Sequence, residues 1–452
     1  MPVPAAYTLS THYMFYVFSG EEVPGSKHTS ATVEFRRLES RSTGSKEVPA
    51  KYDSVEVSIL PFDSFWTLID EDRFCSTWDD VRMKRAEKSG KMMTTMRPPA
   101  AKEMGVRTVS APFPINGVAG PKLETVSLKA TGRYILTFTN CGNFSDAVVN
   151  GALAVKNAYG YLPGNEYYTM QLFGVVTLIY VCISVAWFIG MVRHFKVLFY
   201  IQKGIAAIAF LCAIQNLMAW LEYQDWNTTG ERRDLLFVSS LLLYTIKYVL
   251  AWRLILLASL GAGVVLEDLD GKTSVMFFLA STLFMVQSCL WKILMSYRFS
   301  HALESNFLLM VTIPGMFIYL GMFVWTFMAL SKLLTRVSDQ KQELLITVFS
   351  KCRIVLLGGL ALAIVISFVQ LADIAKGGIF TWQYQWVCVD GAPQFAFMTV
   401  LMCMMKVWWP SEDSWKFGYM VQVDEEEEAT GVQEEGAKGN VVAPEPIGAG
   451  ED

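Results

Sequence analysis

Six ionisable residues lie in or at the ends of long apolar runs: Glu222, Lys247, Arg253, Lys292, Asp373 and Asp390. A charge held in hydrocarbon costs several kcal/mol unless it is paired or wetted, so each is a functional candidate before it is anything else. Glu222, Lys292, Asp373 and Asp390 fall at the same end of their runs. Together they outline a candidate polar cavity for a lipid head group, a small ligand or an ion. The competing reading is that Glu222, Lys292 and Asp390 snorkel to the interface. Lys247 has no interface close by, because the twelve residues before it are uncharged. Lys247 and Arg253 are six residues apart, about 120° around a helix, and need not share a wall.

Other side chains offer less chemistry. Of eight cysteines, Cys75 and Cys141 occupy the polar first third and Cys388 a short polar loop. The other five lie in or beside apolar runs. There is no CxxC and no Cys/His array, which argues against a zinc site. Cys75 and Cys141 are a candidate disulfide in an oxidising compartment, with two unpaired thiols as the alternative. Asn143 and Asn227 each open a glycosylation sequon. His194 and His301 read as solvated loop histidines. Lys406 lies too near the end of its run for a buried Schiff base. Pro314–Gly315 interrupts one run and reads as a kink. No nucleophile–base or metal-ligand spacing appears, so neither an enzyme nor a metal centre is expected.

The elements that must position the six charges are membrane helices. About 20 apolar residues span the ~30 Å hydrocarbon core. Residues 170–192, 204–221, 235–266, 274–291, 306–331, 354–372 and 391–405 meet that length, alone or with their flanks. Short loops on one side carry nine Lys or Arg: Arg193, Lys196, Lys203, Lys272, Lys332, Arg336, Lys341, Lys351 and Arg353. Those on the other side carry five: Arg232, Arg233, Lys292, Arg298 and Lys376. This asymmetry puts the N-terminus outside and the C-terminus in the cytosol.

Ahead of the spans, residues 1–160 alternate apolar and polar with period two. "HYMFYVF", "ATVEFRRL", "VEVSIL", "ETVSLKA" and "RYILTFTN" predict short strands of an all-β sandwich. Residues 79–105 show neither period and read as a mobile loop. The start lacks the basic and apolar regions of a signal peptide, and an incomplete start is the favoured explanation. Residues 168–410 form the predicted seven-helix bundle. Residues 411–452 are acidic and too poor in apolar residues to fold alone. Within them Asp424, Glu425, Glu426, Glu427 and Glu428 are a candidate sorting cluster, or simply a solubilising run. The net charge of −4 gives no reason to expect a nucleic-acid partner.

Several stretches, in order along the chain, resemble one family. "GYLPGNEYYTMQLFG" leading into "YVCISVAWF", the closing strand "GRYILTFTNC", the loop "EYQDWNTTGE", the helix end "RLILLASLGAGVV" and the tail "WWPSEDSWKFGY…DEEEE" are similar to the lung seven-transmembrane receptor family. Its members are also called GOLD-domain seven-transmembrane proteins, and the likeness is to the Golgi and endosomal branch. The chain departs from that pattern at Ala262 and at Leu266–Glu267. The resemblance implies a membrane protein with an N-terminal GOLD-like β-sandwich, a seven-transmembrane helical bundle and a cytosolic tail.

It further implies a monomer of Golgi or endosomal membranes that acts in protein transport. Its sandwich would recognise a luminal cargo or partner protein, and its tail would meet cytosolic sorting machinery. Membrane lipids are expected partners, and no cofactor is expected beyond a bound phospholipid. Two other functions fit seven spans. A cation channel or channel-like transporter draws on the intramembrane charges, though no inverted repeat or filter motif is visible. A G-protein-coupled receptor is the other. Against it, the third span ends in "LLASLGAGVV" and the seventh lacks an Asn-Pro…Tyr element.

Overall fold

A computed structural model of the chain describes residues 2–3, 8–18, 30–42, 54–62, 65, 75–84, 89–91, 107–112, 124–141, 147–198, 200–261, 271–297, 305–375 and 382–410. Among the described residues eight strands precede the bundle: β1 (Pro2–Val3), β2 (Thr8–Val17), β3 (Ala31–Ser42), β4 (Ser54–Pro61), β5 (Arg107–Pro112), β6 (Glu124–Leu128), β7 (Gly132–Asn140) and β8 (Ala147–Lys156). They form two antiparallel sheets, ordered β1-β8-β3-β6 and β2-β7-β4-β5. Alternate apolar residues face inward as the period demands. Val33, Phe35, Val55, Val57, Ile59, Leu136 and Phe138 meet in one core. The sandwich read from the sequence is therefore present, and β1, β5 and β8 join the strands that its clearest alternation marked.

Part of the expected loop is ordered. A short helix, α1 (Trp78–Arg82), follows Thr77, whose backbone N–H and hydroxyl both donate to Asp80 Oδ2, at 2.8 and 2.7 Å. The segment is tied down beside the β4–β7 pair. Cys75 is disulfide-bonded to Cys141, and Lys91 pairs with the buried carboxylate of Glu56 at 2.9 Å. A five-residue helix leaves too few turns for a periodicity to show, which is why the sequence pattern passes over it.

Among the described residues, seven helices are long and apolar enough to cross a membrane. A 3-10 turn, Gly164–Glu166, leads into α2 (Tyr167–Arg193). Then come α3 (Tyr200–Thr229), α4 (Asp234–Leu260), α5 (Gly271–Tyr297), α6 (Ser305–Asp339), α7 (Glu343–Ala375) and, after a π-helical turn at Val387–Gly391, α8 (Ala392–Val407). Most are longer than their apolar runs because polar or charged flanks extend them, whereas α4 closes at Leu260, inside the 235–266 run. α4 ends on Gly261, whose φ of +80° is the left-handed conformation that closes a helix C-terminus and that glycine adopts freely.

The bundle core is drawn from α2, α3, α4, α6, α7 and α8, with Tyr180, Trp187, Cys212, Phe349 and Trp408 among its buried members. Large apolar side chains such as Phe188, Phe278, Met310, Phe317 and Phe368 point outward, as lipid-facing residues must. Within α6, Pro314 cannot donate to the helix ladder. Gln287 of α5 donates its Nε2 hydrogen to the nearby carbonyl of Val311, at 3.1 Å. Gly315 makes room for that amide, since a β-carbon there would lie 2.4 Å from Gln287 Nε2. The Val311 carbonyl, one turn before the proline, thereby serves the packing of α5 on α6.

Candidate functional site

The sandwich meets the bundle through a buried hydrogen-bonded joint. Asn157, just after β8, accepts the Phe18 N–H on Oδ1 (3.2 Å) and donates from Nδ2 to the Leu162 carbonyl (2.8 Å). Asn227, in the last turn of α3, donates from Nδ2 to the Tyr159 carbonyl (3.3 Å) and accepts the Leu162 N–H on Oδ1 (3.2 Å). The Asn227 backbone carbonyl also accepts the Tyr161 N–H at 2.9 Å. Gly160, at φ +153°, lets the turn lie against it, and a β-carbon there would come within 2.2 Å of Asn227 Oδ1. Aromatic rings close the joint. Phe18 packs on Trp382 (4.8 Å between centroids) and Tyr159 on Tyr167 (4.2 Å). Burial raises the Tyr159 phenol well above its ordinary pKa, with the nearby Tyr167 and Glu166 adding to the shift. Its hydroxyl donates to the Leu162 carbonyl at 3.0 Å.

Asn227 opens a sequon, and the structure places its side chain in the joint, buried and with its amide nitrogen engaged with backbone. In the folded chain it clamps the turn to the end of α3. Asn143 lies outside the described residues, as do His301, Lys376, Ala262, Leu266, Glu267 and the cluster 424–428.

Immediately below the joint, on the sandwich side of the bundle, is a small polar pocket. Asn165, Glu166 and Thr169 line it from the start of α2, Tyr223 from α3, and Lys292 and Met295 from α5. Gln385, Trp386, Val389 and Asp390 line it from the turn before α8. Lys292 Nζ donates to Asp390 Oδ1 at 2.7 Å. Glu166 accepts from the Tyr223 hydroxyl on Oε2 and from Asn165 Nδ2 on Oε1, each at 3.2 Å. Gln385 Oε1 and Trp386 Nε1 are buried with no protein partner among the described residues. The space a water-sized sphere fills is about 20 Å³. That holds a water molecule or a single ion, and it is too small for a lipid head group.

The structure divides the predicted charged vestibule. Lys292 and Asp390 meet in the pocket. Glu222 does not line it, because Arg232 covers it: Arg232 Nε donates to Glu222 Oε1 at 2.8 Å, and Nη2 reaches the same oxygen. The guanidinium also lies 4.0 Å from the Phe237 ring centroid. Asp373 is buried at the end of α7 and takes no part in the pocket lining. Glu166 was missed in the sequence because it precedes the apolar run and looks like an ordinary flanking charge.

Lys247 is fully buried midway along α4. Its Nζ donates to Gln215 Oε1 (2.8 Å) and Gln394 Oε1 (3.2 Å). Gln394 donates on to Asn216 Oδ1 at 3.0 Å, and Asn216 to the Cys212 carbonyl at 2.7 Å. Tyr248 and Phe397 face the ammonium at 4.7 and 5.1 Å. Among the described residues it has no carboxylate partner. Tyr244 lies within 5.4 Å of Lys247 and 5.2 Å of Lys292, between this network and the pocket. Arg253 belongs to neither: it is part-exposed and stacks on Phe277, 4.8 Å from the ring centroid. Six residues further along α4 carry it about 9 Å toward the other end of the bundle. Lys406 is exposed, which leaves no buried amine there for a Schiff base.

Residues 168–415 match the family described as "GOST, seven transmembrane domain". Transmembrane protein 87A of Homo sapiens is 27% identical over 277 residues, covering 61% of this chain and 48% of that protein. Its Xenopus tropicalis counterpart is 24% identical over 281 residues, 61% of this chain and 50% of that protein. Membrane protein PTM1 of Saccharomyces cerevisiae is 22% identical over 302 residues, 64% and 56% of the two chains. The matched region thus spans about half the length of these curated relatives.

Proposed function

Because this chain belongs to the GOST seven-transmembrane family, we propose that it is a non-enzymatic protein of Golgi and endosomal membranes acting in secretory-pathway traffic. In this reading the sandwich and the joint face the lumen, the C-terminus is cytosolic, and the sandwich recognises a luminal cargo or partner. The disulfide Cys75–Cys141 suits an oxidising compartment, and the basic residues of the opposite loops suit the cytosol.

The observation that carries the proposal is the joint itself. Phe18 of the sandwich packs on Trp382, and Trp382 opens the same turn that supplies Gln385, Trp386 and Asp390 to the pocket. A partner that tilts the sandwich thereby moves the pocket wall. The pocket as it stands admits water or an ion, so a larger ligand enters only when that turn shifts.

The test is a comparison of secreted and luminal proteins between cells with and without the chain, with rescue by wild type and by Asn227→Ala. Missorting restored by wild type but not by the unclamped variant supports the proposal. No change in sorting on deletion sinks it.

Cation conduction is the second reading. It is favoured by the two carboxylates and the unpartnered Gln385 Oε1 around an ion-sized space. Purified protein in planar bilayers separates the two. Current abolished by Glu166→Gln or Asp390→Asn puts conduction first, whereas silence together with missorted cargo favours traffic.

A further inference from the structure

The end of the bundle away from the sandwich carries a projecting basic hairpin. At 1.5 Å per residue, α6 (Ser305–Asp339) is about 52 Å long against a ~30 Å hydrocarbon core. Its last eight residues, 332–339, extend about 12 Å past the apolar run, and the first eleven of α7, 343–353, extend about 16 Å before theirs begins. Leu333, Val337, Leu345 and Phe349 pack the two extensions into the bundle core. Lys332, Arg336, Lys341 and Lys351 are exposed, and Arg353 is half-buried. Lys406 adds a sixth cation at the end of α8 on the same side. Only Asp339 and Glu343 oppose them on the hairpin, and among the described residues none of the six cations is in an ion pair.

The chain leaves the bundle beside this surface. Trp408 stacks edge-on against Phe349 of α7, 5.9 Å between centroids. Gln202 Nε2 fixes the Trp408 carbonyl at 3.2 Å. Beyond Pro410 come 42 residues with twelve acids and two lysines, five of the acids consecutive at 424–428. Thirteen residues separate Pro410 from Asp424, and a random-coil linker of that length spans about 20 Å root-mean-square. That reach covers the length of the hairpin extension, and a tether so short gives an effective concentration of order millimolar.

We propose that the acidic run 424–428 docks on the basic end of the α6–α7 hairpin of its own chain. The docked run neutralises that surface and withholds it from anionic lipid, while a cytosolic protein that captures the tail uncovers it. The inference depends only on the two features being on the same side of the bundle, so it stands apart from the traffic reading.

The test uses the full chain in nanodiscs of neutral phosphatidylcholine and a zero-length carboxyl–amine crosslinker, read by peptide mass spectrometry. Crosslinks are expected from residues 424–428 to Lys332, Lys341, Lys351 or Lys406, with a yield unchanged on dilution. They are expected to fade between 0.1 and 1 M salt, where the Debye length falls from about 10 to about 3 Å. Converting Asp424→Asn and Glu425→Gln through Glu428→Gln removes the carboxylates, so the links to these lysines are then lost. Four results overturn the proposal. These are no crosslinks, links only to lysines on the sandwich side, links that vanish on dilution and so join separate copies, and complete loss in nanodiscs containing phosphatidylserine, which makes lipid the occupant.

Discussion

Asn227, on a membrane helix, and Tyr159, on the sandwich side of the boundary, are joined by a hydrogen bond from Asn227 Nδ2 to the Tyr159 carbonyl at 3.3 Å. The same side chain accepts the Leu162 N–H, so one amide satisfies backbone groups on both sides of a tight turn. Asn227→Ala leaves both buried groups unpaired, at about 1–3 kcal/mol. Gly160→Ala forces a β-carbon against Asn227 at a backbone angle L-residues seldom adopt, costing about 1–3 kcal/mol in strain before the clash is counted. Both variants are expected to lower the thermal midpoint in detergent and to speed protease cleavage near residue 160. Wild-type cleavage rates in both would show that the joint bears no strain.

Lys247 gives the second prediction. Charge reversal in a buried amide network leaves a carboxylate facing the acceptor oxygens of Gln215 and Gln394. The expected cost for Lys247→Glu is about 3–5 kcal/mol. The same change at exposed Lys196 is expected to have almost none. Lys247→Met keeps the volume and removes the charge, so it separates structural from functional need. A folded but inactive Met variant assigns the ammonium to function. Equal melting of the Lys247→Glu and Lys196→Glu proteins in a thermal-shift assay would rule out a buried role.

Much of the architecture was legible because the two solvents impose different periods. Alternation in "VEVSIL" places Val55, Val57 and Ile59 in the sandwich core, and apolar runs of helical length, one of them interrupted by Lys247 and Arg253, mark the seven spans. The site was legible only in part. A charge inside hydrocarbon announces itself, so Lys247, Lys292 and Asp390 stood out. Their partners did not. Arg232 looked like a loop cation counted for orientation, yet it neutralises Glu222. Gln215, Gln394 and Gln385 carry no charge to mark them. Arg253 shows the opposite difficulty. Intramembrane charge is visible in a sequence, but the end of the bundle it serves depends on helix direction and packing.

Gly315 and Gln287 make a third test. Gly315→Ala drives the Gln287 amide away from the Val311 carbonyl, and Gln287→Leu removes the donor outright. Each is expected to cost about 1–2 kcal/mol. Because both act on the same hydrogen bond, the double variant should lose little more than either single one. Additive losses in a denaturation series would mean that the glycine and the glutamine serve separate purposes.

The disulfide provides the last prediction. Cys75 and Cys141 are 66 residues apart, and closing a loop of that size restricts the unfolded chain by about 4 kcal/mol in the chain-entropy picture. The bond also holds the start of the segment that brings Lys91 to the buried carboxylate of Glu56, at 2.9 Å. Cys75→Ser with Cys141→Ser should therefore loosen two things at once: the sandwich as a whole and the covering of Glu56. Hydrogen exchange should rise along β4 and β7 first, with the membrane helices unchanged, because their core shares no residue with that of the sandwich. Uniform loss of protection across both regions would instead mean that the bundle cannot hold its fold without the sandwich locked above it.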